Sequence, residues 1–134
     1  GAAAAASGGL AVAGGTGGDA HNKGDRLSAN QELRHDDYII ASSGHYVIHQ
    51  KDGNVVLYNP QGKATWATNT AGSTSEKFVF QGDGNIVLYG PGNQVLWSPN
   101  IHGQGAPFVV IQGDGNFVAY AGSAAPWASN TCNQ

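Results

Sequence analysis

The sequence predicts an all-β domain assembled from three copies of one antiparallel unit, and three observations predict it. The segments Gln50-Lys-Asp-Gly-Asn-Val-Val-Leu-Tyr58, Gln81-Gly-Asp-Gly-Asn-Ile-Val-Leu-Tyr89 and Gln112-Gly-Asp-Gly-Asn-Phe-Val-Ala-Tyr120 repeat at an interval of 31 residues. Each holds an Asp-Gly pair flanked by alternating apolar residues, the strongest short-range hairpin signal. A tryptophan follows each copy, at Trp66, Trp97 and Trp127. A period of this length marks a repeat architecture whose units bury their apolar faces only together.

The elements follow in chain order. Fifteen of the first 20 residues are Gly or Ala. Such a stretch buries too little surface to offset its ordering entropy, so residues 1–24 read as a tail or linker and residues 25–134 as the domain. No basic n-region precedes its weak apolar stretch, so a complete signal peptide is not expected there. Glu32–Ala41 is expected to add a fourth strand to a sheet. Each unit then supplies three strands. The first is an apolar run before the glutamine: Tyr46-Val-Ile48, Phe78-Val-Phe80 and Phe108-Val-Val-Ile111. The second is the apolar half of the motif, rich in the Val, Ile, Phe and Tyr that strands favour. The third follows a Gly-containing turn at Asn59-Pro-Gln-Gly62, Gly90-Pro-Gly-Asn93 and Ala121-Gly-Ser123, and carries the tryptophan. No window holds a capped 3.6-residue apolar period.

Side-chain parity sorts the motif. Asn54, Val56 and Tyr58 share one face, while Val55 and Leu57 share the other. Asn85, Val87 and Tyr89 are set against Ile86 and Leu88, and Asn116, Val118 and Tyr120 against Phe117 and Ala119. One face is apolar and belongs to the core. The other carries two hydrogen-bonding groups around a valine, with Gln50, Gln81 and Gln112 and Asp52, Asp83 and Asp114 able to bend towards it. Gln and Asn donate and accept, Asp accepts, and Tyr does either at the end of a rigid ring. Vicinal sugar hydroxyls match that set, and valine suits the ring carbons.

Composition excludes other partners. Six Lys+Arg stand against nine Asp+Glu, and the net charge is −3. Nucleic acid calls for a basic surface. No apolar run approaches the ~20 residues of a membrane span. The histidines His21, His35, His45, His49 and His102 have no zinc-like spacing and read as ordinary surface residues. The Asp-Gly-Asn turns lack the further carboxylates of a calcium loop. A glycosidase needs two carboxylates about 5–10 Å apart; each unit offers one, so no enzyme activity, cofactor or metal is expected. The tryptophans, regularly placed after each motif, read as core rather than as sugar platforms.

On these residues the chain resembles the bulb-type, snowdrop agglutinin-like mannose-binding lectins of monocots, whose signature Q-x-D-x-N-x-V-x-Y all three copies satisfy. The resemblance covers residues 25–134 and implies a β-prism II fold: three four-stranded antiparallel sheets about a pseudo-threefold axis, with tryptophans at its centre. It also implies site roles. Asp83 and Asn85 would bind the 2-hydroxyl of mannose, Gln81 the 3-hydroxyl and Tyr89 the 4-hydroxyl, with Val87 against the ring. Gln50, Asp52, Asn54, Val56 and Tyr58 would repeat those parts, as would Gln112, Asp114, Asn116, Val118 and Tyr120. The implied partners are mannose-containing glycans and glycoproteins. A homodimer by exchange of the C-terminal strand, within Pro126–Gln134, is implied as well. A second reading is a structural or protein-interaction β-prism with vestigial sugar sites. Many plant members carry a disulfide at places corresponding here to Gly53 and approximately Glu76. The single cysteine, Cys132, permits no intramolecular bridge. It reads as a passenger thiol in a loose tail, with intermolecular pairing as the alternative. A secreted or cell-surface setting fits such a lectin, and the lack of a disulfide leaves a cytoplasmic one open.

Overall fold

The computed structural model describes residues 20–134. The Gly/Ala-rich segment 1–19, most of the expected tail, lies outside the described residues. Among the described residues, twelve strands make three four-stranded antiparallel sheets. The first sheet joins β3 (Tyr38–Ile40), β4 (Tyr46–His49), β5 (Val55–Tyr58) and β6 (Ala64–Ala67). The second joins β2 (Gln31–Leu33), β7 (Lys77–Phe80), β8 (Ile86–Tyr89) and β9 (Val95–Trp97). The third joins β1 (Arg26–Ser28), β10 (Phe108–Ile111), β11 (Phe117–Ala121) and β12 (Ala124–Ala128). This is the β-prism II architecture.

Each repeat supplies three consecutive strands of one sheet, as its turns predict. The fourth strands differ from expectation. Glu32–Ala41 is not one strand but parts of two, β2 and β3, which join different sheets. The short ribbon 26–40 deals one strand to each sheet in turn and so ties the three repeats together. Residues 21–24, counted with the tail from sequence, already pair with β3: Tyr38 N–H donates to His21 O at 2.9 Å and Ile40 N–H to Gly24 O at 2.7 Å.

Register lines the interior with three equivalent rows. They are Ile39–Val47–Leu57–Trp66, Leu33–Phe78–Leu88–Trp97 and Leu27–Val109–Ala119–Trp127. The aliphatic and phenylalanine members are essentially inaccessible to solvent. The tryptophans are half-buried and form a near-equilateral triangle, with ring centroids 5.4, 5.4 and 5.6 Å apart and edge-to-face angles of 67–75°. Edge-to-face contact sets the positive ring edge against the negative face of its neighbour. The expected core role of the tryptophans holds. Strand β12 completes the third sheet within its own chain.

Candidate functional site

Each site is built on the hairpin between the first two strands of a repeat. Gly53, Gly84 and Gly115 donate back to the carbonyls of Gln50, Gln81 and Gln112 at 2.9–3.1 Å. These glycines lie at φ of +86 to +95°, whereas the preceding aspartates do not have positive φ. The connection is therefore a three-residue loop closed by a left-handed glycine, rather than a two-residue type I′ turn. Glycine is also required sterically at Gly53 and Gly115. A Cβ at Gly53 would stand 2.5 Å from Ser73 O, and one at Gly115 2.7 Å from His45 Nε2. The residue facing Gly53 is thus Ser73, not Glu76.

Val55, Leu57, Ile86, Leu88, Phe117 and Ala119 fall in the core, as parity predicts, and the polar motif side chains of each copy pair off, aspartate with asparagine and glutamine with tyrosine. The aspartate folds back over its loop: Asp52, Asp83 and Asp114 each accept the N–H of the motif asparagine on Oδ1, at 2.9–3.0 Å. The glutamine meets the tyrosine hydroxyl in every copy. In the first site Tyr58 donates to Gln50 Oε1, and the Gln50 amide turns its nitrogen to Asp52 at 3.1–3.2 Å. In the others Gln81 and Gln112 donate to Tyr89 and Tyr120.

The asparagine is the most constrained member. Asn54 Oδ1 accepts from Thr68 Oγ1 and from Thr70 N–H, both at 3.1 Å. Asn85 Oδ1 accepts from Ser98 Oγ at 3.1 Å and Ile101 N–H at 2.9 Å. Asn116 Oδ1 accepts from Ser129 Oγ at 3.1 Å and Thr131 N–H at 3.2 Å. With the carbonyl held from behind by two donors, the amide nitrogen must face away from them. The donors come from the segment just after each tryptophan. There Asn69, Asn100 and Asn130 take left-handed φ of 58–60° and turn the next N–H inward. The sequence signal that could have found these donors is the spelling Trp-x-x-Asn, which recurs at Trp66–Asn69, Trp97–Asn100 and Trp127–Asn130.

The three sites differ in access. In the second and third, the aspartate is exposed and the glutamine and tyrosine half-buried. In the first, Gln50, Asn54, Val56 and Tyr58 are 0–1 % exposed. Asn54 Nδ2 is buried there with no hydrogen-bond partner.

Two histidines depart from the expected surface role. His45 is buried, and His49 is fully buried beside the first site. Its Nδ1–H donates to Leu33 O at 2.8 Å, so neutral Nε2 accepts from Ser75 Oγ at 2.8 Å. Burial, which penalises the imidazolium, lowers its pKa to about 4. Cys132 is exposed but not loose: its thiol donates to Asp114 Oδ2 at 3.3 Å, and that contact raises its pKa. Among the described residues, no group of three or more His, Cys, Asp or Glu is placed to hold a metal ion.

No protein-family model and no curated protein sequence matches the chain. Solved structures do. A lectin from the fungus Marasmius oreades is 29% identical, with TM-score 0.77, over 84% of this chain and 96% of that one. A monomeric monocot mannose-binding lectin from Gastrodia elata is 35% identical, with TM-score 0.72, over 81% and 98%. The mannose-specific agglutinin of snowdrop, Galanthus nivalis, solved with methyl-α-D-mannoside, is 34% identical, with TM-score 0.63, over 80% and 96%. Fold, motif and likeness agree over nearly the whole length of these relatives: the chain belongs to the bulb-type mannose-binding lectins, a family of carbohydrate-binding proteins.

Proposed function

We propose that this lectin recognises mannose and high-mannose glycans through three Q-x-D-x-N-x-V-x-Y sites. The observation that carries the proposal is the fixed asparagine. Its backbone N–H is bonded to Oδ1 of the aspartate two residues earlier, which keeps that carboxylate and the asparagine amide in one site. A donor next to a carboxylate suits a hydroxyl that must accept and donate at once, as the axial 2-hydroxyl of mannose does. The equatorial 2-hydroxyl of glucose would point elsewhere. Gln81 and Gln112 serve the 3-hydroxyl, Tyr89 and Tyr120 the 4-hydroxyl, and Val87 and Val118 the ring carbons. Gln50, Asp52, Asn54, Val56 and Tyr58 hold the same parts in the first site.

About four net hydrogen bonds at ~0.5–1.5 kcal/mol each supply only a few kcal/mol. After the cost of association, a single monosaccharide binds near the millimolar level, or about −4 kcal/mol. Several sites on one branched glycan raise the apparent affinity by about 10²–10⁴. A homodimer that exchanges β12 would reproduce the pairing of β12 with β11 between copies and double the number of sites. Retention on mannose-agarose with elution by free mannose tests the specificity. Calorimetry with methyl-mannoside beside a mannan surface assay tests multivalency, and light scattering tests the dimer. Equal elution by glucose would defeat the mannose reading. Equal affinity for the two mannose ligands would defeat the multivalent one, and a strict monomer the strand exchange.

A further inference from the structure

We propose that the second site takes mannose carrying an anionic ester, phosphate or sulfate, on its 6-oxygen, and that Lys77 selects it. This specificity rests on the sugar-site reading above and names the substrate class of one of its sites.

Register sets one residue of β4, β7 or β10 directly across from the motif tyrosine of each sheet. Tyr46 faces Tyr58, Lys77 faces Tyr89 and Phe108 faces Tyr120. The three positions are equivalent, and the second alone carries a charge. Lys77 and Val79 share the outer face with Val87 and Tyr89, since Phe78 and Leu88 lie in the core. The Lys77 ammonium stands over the Tyr89 ring, 5.5 Å from its centroid. It therefore borders the tyrosine assigned to the 4-hydroxyl, whose own oxygen meets the Gln81 amide.

Lys77 is half-buried, and a charge partly withdrawn from water calls for a partner. The ring face attracts the ammonium but leaves its three N–H donors open to oxygen acceptors. Among the described residues, no ion pair includes Lys77. The nearby carboxylates are engaged elsewhere. Glu32, on the same outer face across Val79, is held by Arg34. Asp83, before the opposite end of β8, accepts the Asn85 N–H.

The third site supplies the contrast. Its cation, Arg26, has Cζ 4.7 Å from the Phe108 centroid, but its guanidinium already holds both oxygens of Asp25, at 2.9 and 3.3 Å. A cation neutralised by its neighbour adds little for an incoming anion. An ester on the 6-oxygen leaves the hydroxyls assigned to Asp83, Asn85, Gln81 and Tyr89 untouched. It places charged oxygens beside the 4-hydroxyl, where the flexible lysine stem lets the ammonium reach them. Hydrogen bonds between two charged groups are the stronger kind.

The test follows the Asn85 and Asn116 side-chain amides of the full chain by NMR. The ligands added are methyl-α-mannoside, its 6-phosphate, its 6-sulfate, methyl-α-glucoside 6-phosphate and inorganic phosphate. Methyl-α-mannoside should move both amides. At least one of its esters should bind the second site about three- to tenfold tighter than the parent sugar, and the third site no tighter. Raising the salt from about 50 to about 500 mM should shrink that preference. Lys77→Gln should erase it and Lys77→Arg retain it, with the Asn116 response showing in each variant that the prism is folded. A second site indifferent to both esters, an equal gain at the two sites, or a gain that survives Lys77→Gln overturns the proposal and leaves the mannose reading standing. Inorganic phosphate or the glucoside ester moving Asn85 as strongly as the mannoside esters also overturns it, in favour of a plain anion contact. If methyl-α-mannoside moves neither amide, the mannose reading fails and this specificity fails with it.

Discussion

Replacing Trp66 by alanine tests whether the tryptophan triangle holds the prism together or serves the ligand. Trp66 meets Trp97 and Trp127, each at 5.4 Å, and Phe117 at 5.9 Å. Three aromatic contacts at ~0.5–1.5 kcal/mol each contribute roughly 3 kcal/mol beyond simple area burial. Truncation of a large buried aromatic costs about 3–5 kcal/mol in all. Trp66 is only half-buried, which places the expected loss near the lower end, at about 3 kcal/mol. For a domain of this size 1 kcal/mol moves the melting temperature by about 3–5 °C, so the variant should melt ~10–15 °C lower. Thermal unfolding followed by circular dichroism measures the shift, and mannan binding at 15 °C measures function separately. The core assignment predicts near-normal binding below the transition. A melting temperature within ~3 °C of the parent, together with lost binding, would refute it and make the tryptophans part of the ligand site.

The double variant Asp83→Ala/Asn85→Ala should abolish the methyl-mannoside response of the second site while keeping the near-UV spectrum, because neither side chain belongs to the apolar core, although the Ile101 N–H loses its acceptor and stability falls by about 1–3 kcal/mol; a collapsed spectrum would contradict this. Ser98→Ala removes one of two donors to Asn85 Oδ1, and should weaken that site by about 2–10-fold, worth ~0.5–1.5 kcal/mol, while the third site stays unchanged in the same NMR titration. His49 titrates near 4 in the fold and near ~6.5 when unfolded. Its neutral form therefore adds stability that is complete above pH ~6.5 and is lost as the pH falls towards ~4, roughly 3 kcal/mol in total. Denaturation midpoints between pH 7 and 4 should show that slope, and His49→Gln should flatten it; an unchanged slope would remove His49 as the cause. Glycan binding should survive EDTA, and a calcium requirement in that assay would overturn the reading of a site made of protein groups alone.

The parts of this protein that repeat were legible in its sequence. Asp-Gly pairs located the hairpins, and a period of two placed Asn54, Val56 and Tyr58 opposite Val55 and Leu57 before any coordinates. The ribbon 26–40 was not legible, because a three-residue strand has no period to detect and its sheet is chosen by distant partners: β1 by β10, β2 by β7. Thr68, Ser98 and Ser129 escaped notice for a different reason. A hydroxyl between a tryptophan and an asparagine looks like loop filler, and its role appears only when the chain folds back onto the motif asparagine 13 or 14 residues earlier. The histidines misled because polarity suggested surface. His49 instead spends its two ring nitrogens inside, on Leu33 O and Ser75 Oγ.

The ribbon that deals β1, β2 and β3 to three sheets has a consequence in time. Ile39 finds its partner Val47 only eight positions later, Glu32 finds Val79 after 47, and Arg26 finds Val110 after 84. Strands leaving the ribosome first therefore wait longest, and the ribbon zips from its C-terminal end backwards as each repeat is made. At a synthesis rate of ~5–20 residues per second, β1 stays unpaired for several seconds. Long-range pairings of this kind also slow refolding of the finished chain. During that interval Arg26 at the unpaired edge is protective, since a charged, three-residue strand is a poor template for another chain.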